Sequence, residues 1–346
     1  MPPVALVLDF SRPPTPKLLA ALARRADRLG RMAPSIEGAI KSFSDVAGEL
    51  LAPVRVRRGF AYLASAPAGG PGSDRVLPKS ERRPPASRLM SPRGSALRLE
   101  LTALAYQQAR HRRGGARADS ALPIRPALND SGDKLGWSDL IASPSSVHMK
   151  GLNYISVQDK KVRQVQQALT RMAKTGLVDL PSSPSGRSDF DRFMLLDETG
   201  DHGSAGDSVP YTVPRAKEPC FELPASFFRN GWVHVLEDSE ILLLLMVACG
   251  VGSITSPPDV AVPSDVRLLR YGIGRASYTP AHTMLSKLGL LAVQEIGRRD
   301  DGRVFDYGTE DGEAHVHRLR LLPAGFEKPA MATISATIAH ERERGR

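Results

Sequence analysis

The stretch from Val262 to Pro323 constrains the fold most, because its helix, turn and strand signals follow an order that few architectures use. Ser264 to Arg270 fits a short helix that runs into the turn Tyr271-Gly272-Ile273-Gly274. A second helix is expected from about Arg275 to Lys287, ending at Gly289. Pro280 is compatible only with a first helical turn, which would move that start to about Ser277. Leu290 to Val293 then reads as a strand, Gly297 to Arg303 as a charged tip, and the chain returns through Val316-His317-Arg318-Leu319-Arg320-Leu321. Two helices about a glycine turn, followed by a β-hairpin, is the order of a winged helix-turn-helix, whose second helix usually enters a DNA major groove.

The same order recurs upstream. Leu97, Leu101, Leu104 and Ala105 mark one face of a helix that ends near Arg110-His111-Arg112-Arg113, before Gly114-Gly115. Arg117 to Asp133 reads as an inserted loop and Trp137 to Ala142 as a short second helix. A third helix is expected from about Ser156 to Lys174, because Val162, Val165, Leu169 and Met172 form one apolar stripe. Gly176 stops it, Leu177 to Leu180 reads as a strand, and Phe190 to Leu196 as its return, with Arg187 in the intervening tip. Lys174-Thr175-Gly176-Leu177 aligns with Lys287-Leu288-Gly289-Leu290 at a constant offset of 113, and both copies fall where helix meets hairpin.

The remaining segments are accessory to these two. Lys17 to Leu51 carries Leu18, Leu19, Leu22 and Leu29, then Ile36, Ile40, Phe43, Val46 and Leu50, at helical spacing on either side of Pro34. That pattern predicts one or two helices, either a docking or dimerisation arm or a cover for the core. Residues 66–95 are rich in proline, glycine and cations and read as a flexible linker. Asp238-Ser239 is a good N-cap for a helix from Glu240 to Ala248, apolar nearly all round and so expected at the centre of its unit. The expected domains are therefore an arm at 1–65, a linker at 66–94, a first unit at 95–200, a connector at 201–220, a second unit at 221–325 and a tail at 326–346. The fold class is α+β, mainly α: two winged helix-turn-helix domains in tandem behind a helical N-terminal arm.

Charge supplies the functional expectation. The formal net charge is +10, and 36 of the 47 basic residues are arginine, which favours an anionic partner. In the first unit Lys160, Lys161, Arg163, Gln164, Gln167 and Arg171 place long donors outside the apolar stripe, the types that read guanine, adenine and phosphate. In the second, Arg275, Ser277, Tyr278, Thr279, His282, Thr283 and Lys287 occupy the corresponding helix. Arg187 in one wing and Arg298, Arg299 and Arg303 in the other would meet the backbone or the minor groove. Arg163 and Gln167 are the expected base readers; Lys160, Lys161, Arg298 and Arg299 the expected phosphate contacts.

Other chemistries find little footing. The two cysteines, Cys220 and Cys249, suit neither a disulfide framework nor a zinc site and fit a reducing cytoplasm. The longest apolar run, Ile241 to Cys249, falls far short of the ~20 residues that span a bilayer. No phosphate-loop or serine-elbow motif occurs, so no enzymatic activity, cofactor or metal is expected. His315-Val316-His317 has the form of a metal-binding strand pair, but no following tyrosine completes a nuclease, and exposed wing histidines are the expectation.

Taken as two winged helices in one chain, with the junctions Lys174-Thr175-Gly176-Leu177 and Lys287-Leu288-Gly289-Leu290, the sequence from about Ser95 to Pro323 resembles the theta-type plasmid replication initiators. The resemblance implies a cytoplasmic, nucleoid-associated protein that binds repeated origin sequences in double-stranded DNA, with itself or another DNA-maintenance protein as a partner through the arm. A transcriptional regulator at a promoter operator and a winged-helix protein scaffold are the alternative readings.

Overall fold

The apolar periodicities of the sequence become a mainly helical α+β structure with small antiparallel sheets. The structure, a computed structural model, describes residues 6–7, 13–47, 50, 52–66, 76–91, 94–110, 122–128, 134–143, 149–150, 153–154, 156–183, 186–200, 208–295 and 316–345. Strand β1 (Leu6–Val7) precedes the long helix α1 (Pro16–Ala47), and β2 (Val54–Arg57) runs into α2 (Arg58–Ala61). Next come α3 (Pro85–Leu89) and α4 (Ala96–Arg110), then the short strands β3 (Ala127–Leu128), β4 (Lys134–Leu135), β5 (Met149–Lys150) and β6 (Asn153–Tyr154). Helix α5 (Val157–Thr175) feeds the hairpin β7 (Val178–Asp179) and β8 (Met194–Leu195). The second half follows as β9 (Cys220–Leu223), α6 (Ala225–Arg229), α7 (Trp232–Val235), α8 (Asp238–Cys249), α9 (Ser264–Leu269) and α10 (Arg275–Lys287). It ends with β10 (Leu291–Glu295), β11 (Arg318–Leu321), α11 (Pro323–Phe326) and α12 (Ala330–Arg344).

The two helix-to-hairpin junctions are built from the same hydrogen bonds. Gly176 and Gly289 both take positive φ, 79° and 69°, which a glycine adopts without the Cβ penalty. The Gly176 amide donates to Ala173 O and the Leu177 amide to Met172 O; at the offset of 113, Gly289 donates to Ser286 O and Leu290 to Leu285 O. Each hairpin then opens on equivalent residues, Val178 opposite Leu195 and Leu291 opposite Leu321. Each also closes alike, Leu196 donating to Leu177 O and Leu322 to Leu290 O. Upstream, α4 packs on α5 as α8 packs on α10. The copies differ in the third segment of each sheet: Pro210, after the first hairpin, bridges Leu196, whereas Val260, between α8 and α9, bridges Leu319.

Several segments expected to stand apart are packed into the same buried cluster, which runs from Leu22 to Ile338. Of the two expectations for residues 17–51, a docking arm or a cover for the core, the described residues show the cover. α1 lies against α4, α6, α7 and α12, β1 pairs with β10, and β2 pairs with β9. Pro34 does not split α1, because it and Gly30, whose carbonyl it leaves unbonded, are both exposed to solvent. The same reasoning applies in α10, which starts at Arg275 rather than Ser277: Pro280 and Ala276 share its exposed face. In the expected linker, Pro85, Ala86, Ser87 and Leu89 of α3 are buried, while 67–75 and 92–93 lie outside the described residues. Tyr211 and Val213 of the expected connector are buried beside the first hairpin, and Ile334 and Ile338 of the expected tail are buried in α12. Within the expected insertion, Leu122 and Ile124 are buried; 117–121 and 129–133 lie outside the described residues. The short helix expected at Trp137 is a single 3-10 turn, Trp137–Asp139.

Arginines from distant segments converge on the first turn of α8. Glu237 caps that helix, one residue before the expected Asp238, and its amide donates to Glu240 Oε2 at 2.8 Å. Arg25 of α1 holds Glu240 at 2.5 Å with side chains 6% and 5% exposed, and also donates to Val235 O. Arg28 of α1 pairs with Glu237 at 2.6 Å, and Arg98 of α4 with Asp238 at 2.8 Å. Burial alone would lower the Arg25 pKa, but Glu240 reverses this and keeps the guanidinium charged. Removing one partner of such a buried pair strands the other, so Arg25→Ala is expected to cost about 3–5 kcal/mol in urea denaturation. Arg25→Met combined with Glu240→Leu should recover most of that loss, because no charge is then left buried.

A second buried ionic cluster joins the end of the first hairpin to β2. The Arg57 guanidinium contacts Glu198 at 2.7 Å, Glu218 at 2.7 Å and Asp197 at 3.4 Å, and its amide donates to Glu198 Oε1. Burial pushes the Glu198 carboxyl up to about 7 in spite of Arg57, and burial with Glu198 nearby holds Glu100 well above the usual carboxylate range. A carboxyl whose folded pKa exceeds its unfolded one favours the fold while protonated. Its contribution is therefore complete below about pH 4.5 and fades as pH rises through 7. Urea midpoints should accordingly fall between pH 5.5 and pH 8 by more in the parent than in Glu198→Gln; an equal fall would exclude Glu198 as the titrating group.

Candidate nucleic-acid interface

Helix α5 owes its placement to both ends and to one stripe. Ser156 Oγ accepts from the Asp159 amide at 3.0 Å, Asp159 is held by Arg125 at 2.5 Å, and Gly176 closes the C-terminus. Val162, Val165, Ala168, Leu169 and Met172 are buried against α4 and the Trp137 turn. This orientation leaves Arg163, Gln167, Thr170 and Lys174 exposed in one row at spacings of four, three and four. Lys160, Lys161 and Gln164 flank the row and are half-buried.

Two grooves border the row. One, of about 550 Å³, lies between α5 and the segment 80–96, with Arg88, Gln164, Gln167, Arg171 and Lys174 among its walls. The other, of about 330 Å³, is lined by Arg163, Gln166, Gln167, Thr170 and Phe190. A base edge or phosphate approaching α5 would therefore meet donors on a ridge with space on both sides.

The expected donors divide into those the fold leaves available and those it uses. Arg163 and Gln167 are exposed, and Arg187 is exposed in the first hairpin loop. Arg171 is not an outward reader. Its guanidinium donates to Arg88 O at 2.8 Å and Met90 O at 2.6 Å, clamping α3 onto α5. In α10, Arg275 and Thr279 are exposed and Ser277 and Thr283 are half-buried, but Tyr278 and His282 turn into the protein. Arg267 stacks on the Tyr278 ring at 4.5 Å, and the His282 ring lies 5.4 Å from His317. His317 is thus half-buried against α10, 6.3 Å from Tyr278 and nearly parallel to it, rather than exposed as expected. His315, Arg298, Arg299 and Arg303 lie outside the described residues. Lys287, at the end of α10, is sequestered by Glu341 of α12 at 2.8 Å.

Lys174, Arg88, Ser95 and Phe190 join this surface without having been among the expected residues. Lys174 extends the exposed spacing and could have been found from it, whereas Arg88 and Ser95 come from other segments that only tertiary packing brings near. Segment 77–91 also reaches the turn that leads into α10. Ser87 Oγ donates to Gly272 O at 3.1 Å, in the turn before α10.

No group of three or more His, Cys, Asp or Glu able to hold a metal occurs among the described residues. Nor is any helix among them long and apolar enough to cross a membrane. No family model, curated protein or solved structure matches the chain.

The division of donors has a direct test in stability. Arg171→Ala should lower the urea midpoint by the equivalent of about 1.5–3 kcal/mol, since it leaves two part-buried carbonyls without a charged donor. Arg163→Ala and Gln167→Ala should stay within about 0.5 kcal/mol of the parent.

Proposed function

We propose that this chain is a non-enzymatic, sequence-specific double-stranded DNA-binding protein containing two winged helix-turn-helix units. The first comprises α4, the Trp137 turn, α5 and β7–β8; the second comprises α8, α9, α10 and β10–β11. The observation that carries the reading is the repeated junction, in which the same amide-to-carbonyl bonds recur at an offset of 113 and each copy sends a helix into a hairpin. The second copy fits the architecture more fully, since Val260 supplies a third strand position between its first two helices. The first copy carries the better reading surface. Arg163 and Gln167 are suited to base edges, Lys160, Lys161 and Lys174 to phosphates, and Arg275 with Thr279 offers a second contact. Initiation of replication or maintenance of a plasmid-type element, in the cytoplasm and on the nucleoid, is the biological role in keeping with two such units in one chain.

The internal use of Arg171 gives a protein-docking scaffold some support, because a cation expected on the surface turns out to be a structural clamp. Arg163, Gln167 and Lys174 remain exposed, and this weighs for nucleic acid.

The experiment is titration of labelled duplexes tiled across the DNA flanking the gene, at several salt concentrations. A protein with six or more phosphate contacts should lose about three orders of magnitude in affinity between about 50 and 200 mM salt. Arg163→Ala or Gln167→Ala should weaken the preferred duplex by about ten- to a hundredfold and relax its preference, whereas Lys160→Ala should weaken all duplexes evenly. A parent protein that ignores every duplex at low salt, or variants indistinguishable from it, would exclude the reading.

A further inference from the structure

We propose that segment 79–88, which lies between α5 and the turn before α10, is a further DNA-contacting element whose Lys79 and Arg82 hold the phosphate backbone of the duplex read by α5. This role rests on the DNA-binding reading, to which it adds a backbone contact between the two units. The segment is built as a rigid piece. Ser80–Arg82 forms a single 3-10 turn, closed by the Arg82 amide on Lys79 O at 3.0 Å and the Arg83 amide on Ser80 O at 3.1 Å. Arg83 Nε donates back to Pro78 O at 2.6 Å, and Pro84 and Pro85 fix φ where α3 begins. On one side Ser80, Glu81 and Arg88 share the groove of about 550 Å³ with Gln164, Gln167 and Lys174, and so border the exposed row of α5. On the other, Ser87 Oγ donates to Gly272 O, and Cβ atoms placed on Gly272 and Gly274 would lie 3.2 Å from Arg83 Cβ and 3.8 Å from Leu77 Cδ2. Gly274 caps α10, whose first residue is the exposed Arg275. The segment thus spans from the donor row of one unit to the start of the third helix of the other.

The charge of this bridge decides its ligand class. Between positions 76 and 91 stand Lys79, Arg82, Arg83 and Arg88 against one carboxylate, Glu81. Burial lowers the pKa values of Arg83 and Arg88, and Glu81 opposes it for both. Glu81 therefore serves the two part-buried guanidinium groups, while Lys79 and Arg82, exposed on either side of Ser80 and Glu81, carry the excess. Acids elsewhere do not cancel it, because Glu237, Asp238 and Glu240 are engaged by arginines of α1 and α4, and Asp197, Glu198 and Glu218 by Arg57. Residues 79 and 82 bracket one 3-10 turn, about 6 Å of rise, which is inside the Debye length of about 8 Å at physiological salt, so their fields add. Cations on a turn beside a recognition helix suit phosphates rather than base edges. Because the segment is already fixed on both sides, engaging a duplex costs it little conformational entropy. A merely solvated turn would be indifferent, in duplex binding, to the loss of either charge.

The test is titration of labelled duplexes with the full chain over a range of salt, for the parent, Lys79→Ala, Arg82→Ala, Glu81→Gln and Lys79→Arg. Loss of Lys79 or Arg82 should weaken every duplex about three- to tenfold without changing which sequence is preferred. Each loss should also make the slope of log affinity against log salt shallower by about one. Glu81→Gln should tighten every duplex about two- to threefold, a gain that no damage to the fold could produce. Lys79→Arg should keep the parental affinity and slope, and Lys79→Ala should leave the urea midpoint in place, since that side chain is exposed. A parent that binds duplex and responds to Gln167→Ala, beside Lys79→Ala, Arg82→Ala and Glu81→Gln proteins of parental affinity and slope, overturns this element alone and leaves the α5 contact standing. A parent that binds no duplex at any salt removes the DNA-binding reading and this element with it.

Discussion

The acidic first turn of α8 ties three distant parts of the chain together. Glu237, Asp238 and Glu240 sit at the positive end of a helix that is otherwise apolar on every face, so the dipole favours their charge while burial opposes it. Arg28, Asp238's partner Arg98, and Arg25 resolve the conflict, two of them from α1 and one from α4. Because those partners come from the N-terminal helix and from the first helix of the other copy, satisfying one helix end fixes three parts of the chain together. His234, buried close by, is driven down to about 3 by burial and by Arg98, and thus stays neutral in the same polar layer.

This fusion ties the two helix-to-hairpin segments to each other. Two copies joined by a flexible tether would sample many mutual orientations; here α3 is clamped to α5 by Arg171 and to the turn before α10 by Ser87. The copies also differ in what surrounds them. The second has β1 added to its hairpin and α12 packed where Lys287 meets Glu341, and its third helix turns Tyr278 and His282 inward. The first keeps an open row of long donors bordered by grooves. The helix-to-hairpin junction has the same hydrogen bonds in both copies, while the surfaces on either side of it are put to different uses.

Much of the regular structure was legible in the sequence because it rests on local signals. The stripe Val162, Val165, Leu169 and Met172 located α5, and Gly176 and Gly289 located the stops of both third helices, since only neighbouring residues decide a period or a left-handed turn. The packing of residues 1–65 and 76–91 was not legible. It rests on pairs such as Arg25 with Glu240, separated by 215 positions, and Ser87 with Gly272, separated by 185. Composition alone made those segments look like an arm and a linker. For the same reason Arg171 read as a surface donor: its spacing on the helix is correct, and only the carbonyls of residues 88 and 90 reveal its use.

Site-directed cleavage would show whether the exposed row of α5 faces a DNA duplex, as proposed. With Cys220 replaced by serine and Cys249 left buried in α8, a DNA-cutting iron chelate would be attached at Gln167→Cys and, separately, at Ser335→Cys on the exposed face of α12. Strand cuts confined to a few base pairs from position 167, with none from position 335, is the result the proposal predicts. Equal, diffuse cutting from both positions, or none from position 167 on any duplex the protein retains, would contradict it.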